Sequence, residues 1–152
     1  MKLKSIALAG SFALGVFGAA PALADMADKA LGDWSRPSEG WVVQFYKCAD
    51  KLCGKVISGE GVDKKTGGPV VGVNMLFDLV KKDDHRWKGK MYDPKGGGLY
   101  KGYVTVLDDN TVKMSGCMMG IMCRSETWPR APEAAQPAPD ATAPAAEEPS
   151  SD

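Results

Sequence analysis

With 152 residues, 44% hydrophobic side chains, 18 Gly, 10 Pro and 4 Cys, the chain is sized for one small domain. Nineteen Lys+Arg balance nineteen Asp+Glu, which removes the electrostatic argument for nucleic acid or an anionic membrane surface as a partner of the whole chain and leaves only a local charged patch open. These totals average three unlike pieces.

The first piece opens on Lys2 and Lys4, continues through an apolar run from Ile6 to Ala20, and closes on Ala22-Leu23-Ala24. A basic start, an apolar stretch too short to span a bilayer and an Ala-x-Ala site predict a signal peptide over residues 1–24. The expected product is periplasmic, cleaved after Ala24, with no transmembrane span in its mature form. No Cys follows the cleavage site, so lipid attachment lacks its acceptor. The last piece, residues 131–152, holds Ala, Pro and acids with nothing large and apolar to bury. That is the composition of a disordered tail. Between them, residues 25–130 carry 17 basic against 14 acidic side chains while the tail carries five acids, so the overall neutrality is a cancellation.

Within 25–130 the apolar period is close to two, punctuated by Gly, Pro, Asn and Asp. Residues Met26 to Leu31 are expected to make one helical turn, as a lid or plug. Trp41 to Lys47 and Leu52 to Ser58 read as a hairpin, and Val70 to Lys81 as the next apolar strand. A charged turn, Lys81 to His85, leads into Arg86 to Tyr92, where Arg86, Lys88 and Lys90 share one face and Trp87, Gly89 and Met91 the other. Asp93-Pro94-Lys95-Gly96 has turn chemistry and joins Leu99 to Leu107; after Asp108-Asp109-Asn110 come Thr111 to Cys117 and Ile121 to Trp128. Seven or eight short antiparallel strands and no long helix predict an all-β fold. The architecture expected is an up-and-down barrel, which hides its strand edges by closing.

Cys48, Cys53, Cys117 and Cys123 all lie in the exported domain, where an even count points to disulfides. Three pairings are possible, and the spacing favours Cys48 with Cys53 and Cys117 with Cys123, each pair bracketing a short reversal. Cys-x4-Cys and Cys-x5-Cys are looser than structural zinc patterns. The segment Cys117 to Cys123, with Met118, Met119 and Met122, offers soft sulfur for Cu(I) if its thiols stay reduced. Set against that is methionine's commoner use as adaptable apolar filling.

Cys48 to Gly54, Trp87-Lys88-Gly89, Tyr92-Asp93-Pro94, Tyr100, Gly116-Cys117 and Arg124 to Arg130, taken in order, resemble the bacterial domain of unknown function 2147 family. The resemblance covers about residues 30 to 130. It implies an exported small β-barrel related in shape to lipocalins and fatty-acid-binding proteins, with no established activity. Pro129 stands where that family commonly has Thr, and because proline cannot donate to a ladder the last strand is expected to end there. Gly32-Asp33-Trp34 is also similar to the Gly-x-Trp start of lipocalin barrels, in which an Arg of the final strand packs over the Trp. Arg124 and Arg130 are the candidates for that contact.

Three classes of function follow. The first is a binding module for a small, partly apolar or anionic ligand, lined by Trp34, Trp87, Tyr92, Tyr100 and Trp128, with Arg124 to orient an anionic group. The second is an envelope interaction or structural protein whose aromatics simply fill the barrel and whose Arg124 pairs with Glu126. An enzyme is the third, and it is disfavoured. The single histidine, His85, lies in a charged turn, Asp93 reads as a turn former, and Gly96-Gly97-Gly98 lacks the Lys-Ser/Thr of a phosphate loop. No catalytic residue, cofactor or metal ligand set is expected, and a protein partner is not specified.

Overall fold

The structure, a computed structural model, describes residues 25–133. The signal peptide expected over 1–24, and residues 134–152 of the tail expected from 131, lie outside the described residues. Eight strands follow one 3₁₀ helix, Met26–Ala30. They are β1 (Gly32–Arg36), β2 (Trp41–Cys48), β3 (Lys51–Ser58), β4 (Asn74–Asp83), β5 (Arg86–Asp93), β6 (Gly98–Asp108), β7 (Thr111–Met118) and β8 (Met122–Pro129). Each pairs antiparallel with the next, and the sheet order is the chain order. The seam between first and last strand is joined by a Trp34–Arg130 bridge and by Ala131 N–H donating to the Asp33 carbonyl at 3.0 Å. The up-and-down barrel is thus nearly closed, and β8 stops at Pro129 as proline's missing donor requires.

Two boundaries differ from the sequence reading. β1 is a strand in its own right, though only Trp34 of its five residues is buried, too thin a signal for alternation to register. The apolar stretch read from Val70 begins as strand only at Asn74. Val70 is buried instead in an excursion over residues 59–73, held by a Val62–Pro69 bridge, by Gly72 N–H on the Val56 carbonyl and by Val73 accepting from Val56. Burial in a folded-back loop looks like burial in a strand when only hydrophobicity is visible.

Because turns alternate between the two ends of such a barrel, the short connections β2–β3, β4–β5 and β6–β7 share one end with the 3₁₀ helix. The β1–β2, β3–β4, β5–β6 and β7–β8 connections share the other. The helix plugs its end. Asp25 caps it by accepting from Ala27 N–H at 2.8 Å, and Ala27 N–H also reaches the Asp84 carbonyl. Trp34 and Trp87 are fully buried beneath it, each donating its indole N–H to a helix carbonyl, Ala30 at 2.8 Å and Ala27 at 2.7 Å. Trp34, Phe45 and Trp128 continue inward as tilted neighbours with ring centroids about 6 Å apart.

Arg130 locks this end. Its guanidinium lies 4.1 Å from the Trp34 ring centroid and donates to the carbonyls of Leu31, Lys29 and Asp109. Of the two arginines considered from sequence, Arg130 makes the cation–π contact and Arg124 does not. Gly32 explains the start of the motif: its φ is +116°, and any Cβ there would collide with the Arg130 guanidinium. Both disulfides form as the spacing favours, Cys48–Cys53 across β2–β3 at the plugged end and Cys117–Cys123 across β7–β8 at the other. Each short loop so closed stabilises by about 2 kcal/mol on chain-entropy grounds.

A methionine-lined cleft at the open end

Opposite the plug the barrel opens into a cleft of about 550 Å³, within the range of small-molecule sites. Its walls follow from the register. Met114, Gly116 and Met118 alternate inward along β7, facing Glu126, Arg124 and Met122 of β8 in direct cross-strand pairs. β5 adds Met91 and Asp93, β6 adds Tyr100, β4 adds Met75 and β1 adds Arg36, while Trp128 closes the floor. Five thioethers therefore surround one space, and methionine's unbranched, polarizable side chain adapts to irregular apolar shapes. Gly116 keeps the wall open, since a Cβ there would come 2.5 Å from the Met91 methyl.

The charges in the cleft differ in how far they are engaged. Arg36, mostly buried, lies 3.3 Å from Asp93 Oδ1 and 3.7 Å from Glu126 Oε2, with its guanidinium 5.1 Å from the Trp41 ring centroid. Its Nε is buried with no hydrogen-bond acceptor. Glu126 is fully occupied: it accepts from Ser38 N–H and Oγ–H and from the Trp128 indole N–H. The Arg124–Glu126 pairing considered from sequence is not formed. Among the described residues Arg124 forms no ion pair, and it stands exposed at the mouth.

One rim of the cleft is fastened from outside. The Tyr92 hydroxyl donates to Asp63 Oδ1 at 2.5 Å, and Asp63 Oδ2 accepts from Thr66 N–H and Oγ1–H. Asp63 is the buried acid of the 59–73 excursion. The Tyr92 hydroxyl, then Thr66, hold its carboxyl below the ordinary aspartate range, and Asp63 in return pushes the Tyr92 phenol above its own.

Of the residues expected to line a site, Tyr92, Tyr100, Arg124 and Trp128 meet at this cleft. Trp34 and Trp87 do not, because the indole hydrogen bonds and the plug hold them in the packed half. The sequence reading missed Arg36, Glu126 and the methionine lining. Period-two registration outward from Trp128, Trp87 and Trp34 identifies Met122, Arg124, Glu126, Met91 and Arg36. The soft-metal idea loses its thiolates, since Cys117 and Cys123 bond to each other. Cys48, Cys53 and Asp78 also cluster, with both sulfurs in their disulfide. His85 lies in the β4–β5 turn at the plugged end, its carbonyl accepting from Val106.

Comparison with known proteins agrees with this geometry. A family model described as an uncharacterized protein conserved in bacteria, DUF2147, matches residues 32–130. No curated protein sequence matches the chain. Among solved structures the fold is similar to a protein from Helicobacter pylori, HP1028, described as belonging to the lipocalin family. The TM-score is 0.58 at 21% identity, covering 68% of this chain and 84% of that one. The chain belongs to the DUF2147 family, and its barrel is lipocalin-like.

Proposed function

We propose that this DUF2147 barrel is an exported, non-enzymatic binding protein for a small amphipathic ligand with an apolar body and an anionic head. The observation that carries the reading is the pairing of five cleft-lining thioethers with an Arg124 that forms no ion pair among the described residues, at one mouth. The apolar body would lie among Met75, Met91, Met114, Tyr100 and Trp128, while Arg124 offers a bidentate fork to a carboxylate or phosphate. Export to the periplasm is supported by the signal-peptide pattern ending at Ala24 and by two disulfides. Against catalysis, Glu126 is occupied by donors, Asp93 accepts from Gly96 N–H and faces Arg36, and the only histidine is at the far end.

Tryptophan fluorescence during titration with medium- and long-chain fatty acids and lysophospholipids tests this, because Trp128 forms the floor. A saturable change is expected, weakened about tenfold or more in Arg124→Gln, since a charge-assisted bidentate contact is lost. No saturable change across these amphiphiles would favour instead a structural barrel acting through its surface.

A further inference from the structure

At the tip of the β7–β8 hairpin, Met119 and Ile121 are apolar side chains that neither the barrel nor the cleft accounts for. Met119, Ile121 and Met122 are 90%, 85% and 71% exposed, and Met118 is half exposed. Met119 and Gly120 both have positive φ, 53° and 77°, and Ile121 N–H points back to the Met118 carbonyl. This is a primed turn, whose first central position favours Asn, Asp or Gly. Methionine is therefore disfavoured at position 119 by backbone conformation and by solvent together. The Cys117–Cys123 bridge lies one residue below and fixes the tip as a projection. Leu99 at the start of β6, and Val62 and Val71 in the 59–73 excursion, are exposed at the same end of the barrel.

Beside the base of the tip, on β5 and β6, the outer wall is cationic. Lys90, Lys101, Cys117 and Cys123 form one row across β5 to β8. Both lysines are exposed, and neither has an ion pair among the described residues. At about 3.3 Å per strand residue, Met119 stands roughly 7 Å beyond that row. Apolar side chains carried that far past a row of cations match a bilayer interface, whose headgroup layer is about 5–8 Å thick on each side.

We infer that the β7–β8 tip docks the barrel, mouth first, on a bilayer containing anionic phospholipid. Met119 and Ile121 enter the acyl boundary, and Lys90 and Lys101 lie at the headgroups. Met118 and Met122 belong to both the tip and the cleft wall, so docking sets the mouth against the lipid. Docking does not depend on what the cleft holds.

Flotation of the full mature chain with vesicles of phosphatidylethanolamine containing about one third phosphatidylglycerol is the test, beside vesicles of phosphatidylcholine alone. Binding is expected to the anionic vesicles and to fall as salt rises from about 0.1 to 1 M. Met119→Glu with Ile121→Glu should lower it at least tenfold, and Lys90→Gln with Lys101→Gln roughly tenfold. Circular dichroism and intact disulfides would confirm that these exposed positions leave the barrel folded. Equal flotation of the tip variant and the unaltered chain overturns the inference, as does absence of flotation at every salt. Self-association in the absence of lipid, abolished by the tip variant and unaccompanied by flotation, would assign the tip to a second copy and overturn it equally. Fatty-acid titration in vesicle-free buffer is a separate measurement, so failure of docking and failure of ligand binding are told apart.

Discussion

The two ends of this barrel are built from the same alternating strands and reach opposite results. At the plugged end the inward positions hold Trp34, Trp87 and Phe45 under a capped 3₁₀ helix, and each indole N–H has an acceptor. At the open end they hold methionines, a glycine and charged groups, and Arg36 Nε has no acceptor. Rigid rings with their polar atoms satisfied specify one packing, whereas flexible thioethers around a cleft tolerate several. One half of the molecule holds the fold together and the other is left free to accommodate.

The sharpest way to break this contrast is Trp34→Ala, expected to cost about 3–5 kcal/mol. Met91→Leu at the open end should stay within about 1.5 kcal/mol. Urea denaturation compares them, and equal losses would mean the ends are not energetically distinct. A middle-sized effect is expected from Cys117→Ser with Cys123→Ser, about 2 kcal/mol from the lost loop closure. The same change should leave the near-ultraviolet signal of the buried indoles intact, placing its consequence at the open end.

The smallest effect concerns pH. Asp63 has its pKa lowered in the folded chain, so its contribution is present above the unfolded value near 3.8 and is lost as pH falls through the lower folded one. Tyr92 has its pKa raised, so its contribution is present below the unfolded 10.0 and is lost as pH rises through the folded value. Limited proteolysis of the 59–73 excursion should therefore accelerate at both extremes. Tyr92→Phe should abolish the alkaline acceleration and weaken the acidic one. Cleavage rates of unaltered protein that stay flat across the range would disconnect this pair from the rim.

The barrel was legible because alternation in β2, β3 and β5 to β8 is strong and the turns carry Pro, Gly, Asn and Asp in the positions turns require. β1 and the start of β4 were not, since one buried residue in five makes no period and a buried loop valine mimics a strand. The cleft was half legible. Aromatics were the visible candidates, yet Trp34 and Trp87 belong to the plug because backbone acceptors lie within reach of their indoles, a fact of three-dimensional placement. The methionines read as generic filling. Their convergence follows from which residue of each strand faces inward at the same height, which needs the register of Met114–Glu126 and Met91–Tyr100.

The seam between β1 and β8 also decides where the chain departs. Ala131 is bonded to Asp33 on the plugged rim, so anything attached after it is anchored on the side away from the mouth. A label coupled directly at position 131 would sit on the rim away from the cleft.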